Sequence, residues 1–92
     1  MQYVYVLKSF VKNRIYIGYT EDLRRRFKEH NSGNVTSTSS MRPLKLVYYE
    51  AFLSKEDARK EELFLKSGYG REILHEKIKH SKTQSICNCP VV

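Results

Sequence analysis

Apolar and polar positions alternate in two short segments near the start of the chain. Residues 3–7 read Tyr-Val-Tyr-Val-Leu and residues 15–19 read Ile-Tyr-Ile-Gly-Tyr. β-Branched and aromatic residues in this pattern predict strands. Residues 8–14 between them are mostly polar, and their number suits the connection of an antiparallel hairpin. Residues 44–52 have a similar composition and predict a third strand.

The segment after the second strand carries the signals of a helix. Thr20 is a candidate N-cap, which places Glu21 and Asp22 in the first turn, near the positive end of the helix dipole. The predicted helix runs from Glu21 to about His30, where Asn-Ser-Gly supplies a C-terminal stop. Residues 32–43 are rich in Ser, Thr and Asn, and we expect them to form a polar surface loop.

Two further helices are predicted in the second half of the chain. Ser54 and Asp57 resemble a capping box at the start of a helix over residues 55–67. The glycines that follow end this helix, and a third, more polar helix is expected over residues 71–80. The resulting order of elements is β-β-α-β-α-α.

The chain has 92 residues, of which 40% are hydrophobic, and this is enough for one core. We therefore predict one α+β domain with a small antiparallel or mixed sheet over residues 1–82, and a flexible tail over residues 83–92. Cys87 and Cys89 lie in this tail, and a disulfide between them would fix nothing distant. A frayed terminus is favoured there over a metal site.

The chain is strongly basic, with 17 Lys and Arg against 10 Asp and Glu and a net charge of +7. This charge favours a phosphate polymer as the partner. A membrane surface is disfavoured because residues 71–82 carry few apolar side chains for an amphipathic helix. No apolar run approaches the about 20 residues of a membrane span, and the first residues lack the features of a secretory signal. We expect a cytoplasmic protein.

Two charged residues fall on predicted apolar helix faces. Arg26 shares a face with Leu23, and an arginine there must reach an anion or the edge of the domain. Glu62 shares a face with Ala58, where a carboxylate is typically half of an ion pair or a metal ligand. A salt bridge between Arg26 and Glu62, or an Arg26 whose head reaches water, is the purely structural interpretation.

The two predicted N-terminal strands also carry residues that a simple core does not require. Tyr5 lies on the first strand, and Tyr16 and Gly18 share one face of the second. Tyrosines in such positions are usually core residues with their hydroxyls at the rim. A glycine within a strand indicates a bulge or a close approach by a ligand or backbone.

These residues together resemble the two-part signature of the GIY-YIG nuclease superfamily. The tripeptides at residues 3–5 and 16–18 are similar to its two halves, with Tyr3 in place of the first glycine. The resemblance covers about residues 2–80 and is to the small stand-alone bacterial members, and more distantly to the N-terminal domain of the excision-repair incision subunit. It implies a GIY-YIG fold, in which helices flank a three-stranded, mainly antiparallel sheet.

The resemblance also implies a set of site residues. Catalytic roles are implied for Tyr5, Tyr16, Arg26, His30 and Glu62. Glu62 is the implied ligand of one Mg²⁺ or Mn²⁺ ion, with Glu61 as the neighbouring alternative, and Arg26 would hold the scissile phosphate. A tyrosine can serve as the base only if nearby positive charge lowers its pKa. Which tyrosine does so stays open, and His30 either assists or only binds a tyrosine hydroxyl at the helix end.

Five basic side chains are expected to contact the backbone of a nucleic acid: Arg24, Arg25, Lys28, Arg42 and Lys66. The expected function is a metal-dependent endonuclease in DNA repair or processing, structure-selective or weakly specific, acting on branched, nicked or single-stranded DNA. A protein partner or a second copy of the chain is left open. The alternative is a nucleic-acid-binding module, or a subunit of a larger nuclease, with little chemistry. The presence of Tyr5, Tyr16, Arg26 and Glu62 favours the enzyme.

Overall fold

Three antiparallel strands form the sheet of the protein in a computed structural model, which describes residues 1–80. In chain order they are β1 (Gln2–Ser9), β2 (Ile15–Thr20) and β3 (Leu44–Phe52). β1 lies in the centre, with β2 on one side and β3 on the other. The helices are α1 (Leu23–Asn31), α2 (Lys55–Lys66) and α3 (Gly68–Lys77). The α+β class, the sheet and the element order confirm the prediction. The tail over residues 83–92 and its two cysteines lie outside the described residues.

The first helix begins later than predicted. Thr20 is not its N-cap, because it still pairs with Tyr3 as the last residue of β2. Asp22 caps the helix instead, and its carboxylate accepts a hydrogen bond from the backbone N–H of Arg25 at 3.1 Å. The Thr20 hydroxyl accepts from the N–H of Asp22 at 3.1 Å and so fixes the turn between strand and helix. Glu21 therefore precedes α1.

The third helix begins at Gly68, three residues before the predicted start. Ser67 caps it, since its hydroxyl accepts from the N–H of Gly70 at 3.1 Å. Gly70 packs on the end of α2 so tightly that a Cβ there would lie 1.8 Å from the carbonyl oxygen of Phe64. Gly70 therefore allows α3 to follow α2 through a tight corner rather than a longer break.

The connection between α1 and β3 also differs from the polar loop that the sequence predicts. It contains a 3-10 helix, Thr36–Met41, whose buried residues Thr38 and Met41 pack under the sheet. None of the helices in residues 1–80 is long and apolar enough to cross a bilayer.

Alternation along the strands divides the core into two faces. The α2/α3 face is aliphatic, and its buried residues are Val4, Val6, Ile17, Ala58, Leu65, Leu74 and Ile78. The α1 face is covered by α1 and the 3-10 helix, and its buried apolar cluster consists of Tyr5, Leu7, Leu23, Met41, Leu44 and Leu46. β2 has a neighbour on one side only, so its free side is an edge along which the two faces meet. This β2 edge positions the site.

Candidate active site

The phenol of Tyr5 crosses β2 at Gly18. The two residues are partners in the β1–β2 ladder. A Cβ on Gly18 would lie 2.4 Å from the Tyr5 hydroxyl oxygen and 3.0 Å from Cε2 of Tyr16. Glycine is therefore required here because a side chain, rather than a ligand or a backbone, occupies the space. The phenol is 1% exposed and extends from the central strand towards the β2 edge.

A buried hydrogen-bond chain fixes the Tyr5 hydroxyl. The hydroxyl lies 2.8 Å from Nε2 of His30, and Nδ1 of His30 lies 2.7 Å from the Thr38 hydroxyl oxygen. Thr38 in turn donates to the carbonyl oxygen of Val35 at 3.5 Å. With the Thr38 proton on the Val35 carbonyl, Nδ1–H of His30 donates to Thr38, and a neutral His30 accepts the Tyr5 proton at Nε2. In this tautomer each hydrogen bond has one donor and one acceptor.

The sequence did not reveal Thr38 as a member of this site. It is fully buried, yet it comes from a segment in which several hydroxyl residues follow one another. Tyr16 completes the cluster, and its ring centroid lies 5.0 Å from that of His30 and 6.3 Å from that of Tyr5. Tyr16 is only half-buried, so this member of the cluster is accessible from the surface.

Burial controls the protonation of both partners in the hydrogen bond between Tyr5 and His30. Burial, followed by the charge of Arg26, lowers the pKa of His30 to about 4, so the imidazole is neutral at pH 7. Burial raises the pKa of Tyr5 to about 12, although the Arg26 guanidinium beside its hydroxyl acts to lower it. Without a metal ion the positive charge of Arg26 does not lower the pKa of Tyr5 below its ordinary value, because desolvation outweighs it. Tyr5 keeps its proton at neutral pH.

Arg26 lies above this cluster on α1, with its side chain 35% exposed. Its Nη1 is 3.0 Å from Oε1 of Glu29, and hydrogen bonds to Glu29 and then to Tyr5 raise the pKa of Arg26. Arg26 forms its ion pair with Glu29, and Glu62 pairs with Arg59 and Lys66. Within residues 1–80 the Arg26–Glu62 salt bridge, which was the purely structural interpretation of the sequence, is therefore not formed. The guanidinium therefore reaches the surface beside the phenol.

Glu62 approaches the same edge from α2, which covers the opposite face of the sheet. Its side chain is 12% exposed and lies 3.4 Å from Nη1 of Arg59 and 3.1 Å from Nζ of Lys66. Arg59 is stacked over the ring of Tyr19 at 4.7 Å, which aligns this side of α2 with β2. The charge of Glu62 contributes to raising the pKa of Tyr5, so the two groups are electrostatically coupled around the β2 edge.

Glu61, the neighbouring alternative, points to a different strand. A hydrogen bond to Glu50 on β3, followed by burial, raises the pKa of Glu61 to about 7, while Lys77 acts in the opposite direction. Glu61 thus interacts with β3 through Glu50. Glu62 pairs with Arg59, which stacks on Tyr19 of β2. Among residues 1–80 no three His, Cys, Asp or Glu side chains are grouped as ligands for a metal ion.

The residues expected to bind a nucleic acid are all exposed: Arg24, Arg25, Lys28, Arg42 and Lys66. The first three lie on the outer side of α1, where Arg25 is 4.0 Å from Glu29. Arg42 follows the 3-10 helix, and its Nε donates to the carbonyl of Ser39 at 3.0 Å. Lys66 is the one member on α2, so the five residues are divided between elements on the two faces of the sheet.

The comparisons with known proteins agree with this architecture. The model of the GIY-YIG catalytic domain matches residues 1–78. A UPF0213 protein of Clostridium perfringens is 40% identical over 67 residues, covering 72% of this chain and 71% of that protein. A UPF0213 protein of Pediococcus acidilactici is 36% identical over 87 residues, covering 91% and 84%.

A solved structure has the same fold. The solution NMR structure of the UPF0213 protein from Bacillus halodurans aligns with a TM-score of 0.55 and 33% identity, covering 98% of this chain and all of that one. The name UPF0213 specifies no activity, substrate or pathway, whereas the domain is that of a nuclease family. The chain therefore belongs to the GIY-YIG family, and its function is nuclease-like.

Proposed function

We propose that the protein is a metal-dependent endonuclease that hydrolyses phosphodiester bonds in DNA. The observation that carries the proposal is the hydrogen-bonded Tyr5–His30–Thr38 chain beside the Arg26 guanidinium at the β2 edge, with the charge of Glu62 acting on Tyr5 from α2. These groups can move a proton, bind a phosphate and hold a cation. Hydrolysis of a phosphodiester needs all three.

Arg26 binds the scissile phosphate in this proposal. A guanidinium forms charge-assisted, bidentate hydrogen bonds with phosphate oxygens, whereas its present partner Glu29 is a partly exposed carboxylate one helical turn away. An exposed ion pair of this type contributes little stability, so exchange of Glu29 for a phosphate is inexpensive. The same movement uncovers the hydroxyl of Tyr5 for an attacking water.

The proton of that water passes to Tyr5 as Tyr5 passes its own proton to His30. Because the Tyr5 hydroxyl donates to Nε2, its oxygen is left to accept hydrogen bonds, from Arg26 in the free protein and from water once Arg26 has turned to the phosphate. A phenol with a pKa of about 12 is not ionised beforehand, so the transfer to His30 must accompany the attack. Thr38 keeps Nδ1 protonated and thereby directs the free lone pair of His30 at Tyr5.

The donor set fits one Mg²⁺ or Mn²⁺ ion. Glu62 offers one partly exposed carboxylate, and Mg²⁺ is commonly bound through one or two carboxylates, several waters and substrate phosphates. Such an ion supplies a Lewis acid that stabilises the departing oxygen. Arg59 and Lys66 pair with Glu62 in the free protein, and with an ion on Glu62 they would be available to bind substrate phosphates.

The cations on α1 and at Arg42 contact the DNA backbone and position it without reading its sequence. We propose branched, nicked or single-stranded DNA as the substrate, in repair or processing in the cytoplasm. With about 80 residues in the domain there is no separate recognition module within the described chain, which favours weak specificity. A protein partner or a second copy of the chain would add selectivity.

A binding module without catalysis is the second candidate. It is favoured by one observation: both charged groups of the site are already paired, Arg26 with Glu29 and Glu62 with Arg59 and Lys66. In that case the ion pairs persist on the nucleic acid, and the contacts come from the surrounding lysines and arginines.

Cleavage assays with matched variants separate the two candidates. Purified protein is incubated with branched, nicked and single-stranded DNA in Mg²⁺ or Mn²⁺, beside Arg26→Ala, Glu62→Gln and the control Glu61→Gln. Loss of one such electrostatic group typically costs about 100-fold or more in rate, so we expect both site variants to be nearly inactive and Glu61→Gln to cut. Binding without cutting in either metal supports the module, and equal cutting by all proteins rejects the site.

A further inference from the structure

A concave pocket lies between the β1–β2 hairpin and α3, outside the groups proposed for cleavage. It has a volume of about 240 Å³ and is lined by Lys8, Asn13, Arg14, Ile15, Arg71 and His75. The first four residues come from the hairpin and the last two from one face of α3, where they are four residues apart. Two separate elements therefore build the walls of this hairpin pocket.

The lining of the hairpin pocket is suited to a phosphate group. Four of its six residues carry nitrogen-containing basic side chains, Asn13 adds an amide, and none carries a carboxylate. Lys8 is held in place because its Nζ donates to the carbonyls of Ser9 at 2.9 Å and Lys12 at 3.1 Å. Guanidinium groups from two walls offer planar sets of donors that match phosphate oxygens.

The position of the pocket relates it to the β2 edge. Ile15 is the first residue of β2 and lies directly before Tyr16, and Gly18 follows two residues later. At roughly 3.3 Å per residue, the pocket lies about 10 Å from the point where Tyr5 crosses the strand. That length is within the reach of a few nucleotides of a single strand, so a polynucleotide bound at the β2 edge can contact both places.

We propose that the hairpin pocket binds a phosphate of the substrate strand, a few nucleotides from the phosphate that is cut. The location relative to the cut rests on the proposed nuclease function, whereas binding of the phosphate does not require catalysis. Arg14 and Arg71 supply the principal contacts, and the pocket fixes the register of the strand along β2.

The test measures binding of a fluorescent single-stranded oligonucleotide without metal, as a function of salt. The double variant Arg14→Gln/Arg71→Gln removes the proposed contacts, and Lys60→Gln/Lys79→Gln removes the same charge from exposed sites outside the pocket. We expect the pocket variant to lose about tenfold in affinity at moderate salt. Its slope of log affinity against log salt is expected to fall by about 0.7, the value for one phosphate contact. Equal losses in both double variants overturn the proposal.

Two further arms identify the phosphate and separate this proposal from the nuclease. A preference for 5′-phosphorylated oligonucleotide that disappears in the pocket variant assigns a terminal phosphate, and equal loss with both oligonucleotides assigns an internal one. Chemical-shift changes on titration with inorganic phosphate are expected at Arg14 and Arg71, and changes only elsewhere overturn the proposal.

If no protein cuts DNA but the pocket variant alone loses binding, the nuclease function fails and the pocket stands. If the natural protein cuts and the pocket variant binds and cuts like the lysine control, only the pocket fails.

Discussion

The two faces of the sheet are built on different physical principles. The α2/α3 face is a cluster of aliphatic side chains in which Val4, Val6, Ala58 and Leu74 are completely buried. The α1 face buries Tyr5, His30 and Thr38 as well, joined in one hydrogen-bond chain. Apolar burial is non-directional and tolerates rearrangement, whereas a buried polar chain is stable only when every donor finds its acceptor. The chemistry that we propose therefore depends on the α1 face, which is the harder of the two to assemble.

The edge of β2 connects the two faces. Tyr5 reaches it over Gly18 from the α1 face, and Glu62 reaches it from α2 on the other. In the proposed site the aliphatic face also has a role, because it packs α2 against the sheet and so fixes the positions of Glu61 and Glu62. The comparison is tested most clearly by perturbing each face in turn.

The largest effect is expected on the α2/α3 face. Leu74 is completely buried in the aliphatic cluster, so Leu74→Ala should lower the free energy of unfolding by about 3 kcal/mol through lost burial and a cavity. Urea denaturation at pH 5 and pH 8 should give the same loss, since no titrating group is removed. The control Leu63→Ala, at a side chain that is 70% exposed, should change stability by no more than about 0.5 kcal/mol. Similar losses in both variants would contradict the assigned core.

On the α1 face the expected effect depends on pH. The pKa of His30 is about 4 in the folded protein and about 6.5 in an unfolded chain, so the unfolded state binds the proton first as the pH falls. The stability that comes from a neutral His30 is complete above pH 6.5 and is lost towards pH 4, by about 3 kcal/mol. Glu61 acts in the opposite direction, because its raised pKa favours the folded state below pH 7.

The histidine contribution is isolated by comparison with His30→Gln, which cannot titrate. Urea denaturation between pH 4 and pH 7 should show that the natural protein loses stability relative to this variant as the pH decreases. Leu63→Gln, at an exposed side chain that does not titrate, serves as a control and should keep the slope of the natural protein. Parallel curves for the natural protein and His30→Gln would show that His30 is not held neutral.

A smaller effect is expected at the crossing of Tyr5 and β2. Gly18→Ala places a Cβ 2.4 Å from the Tyr5 hydroxyl and should cost about 2 kcal/mol, the typical price of overpacking. Gly68→Ala is the matched control, since a Cβ there meets nothing within 4 Å at the start of α3, and it should raise stability by about 0.5 kcal/mol. Thermal denaturation measures both changes, and a neutral Gly18→Ala would mean that Tyr5 does not lie across the strand.

The fold was largely predictable because burial dominates the pattern of the strands. The segments 3–7, 15–19 and 44–52 coincide with β1, β2 and β3 to within two residues at each end. The errors lie where one side-chain hydrogen bond decides a boundary. Asp22 rather than Thr20 caps α1, and Ser67 starts α3 before the predicted position. Several residues nearby could have made either cap, and the sequence alone does not rank them.

The site was predictable in its residue types but not in its energetics. Helical spacing placed Arg26 with Leu23 on one side of α1, and the family resemblance named Tyr5 and His30, which the structure joins by a hydrogen bond. Thr38 was missed because one buried hydroxyl cannot be distinguished among neighbours of the same type. The rise in the pKa of Tyr5 was also missed, since desolvation depends on packing that no local pattern encodes.

Mn²⁺ titration of the ¹⁵N-labelled protein tests the central claim most directly, because a paramagnetic ion broadens the NMR signals of every residue around it. We predict simultaneous broadening of Tyr16 and Gly18 on β2 and of the residues next to Glu62 on α2. This broadening should be lost in Glu62→Gln and kept in Glu61→Gln. Broadening confined to the surroundings of Glu50 and Glu61, or unchanged in Glu62→Gln, would contradict a shared site at the β2 edge.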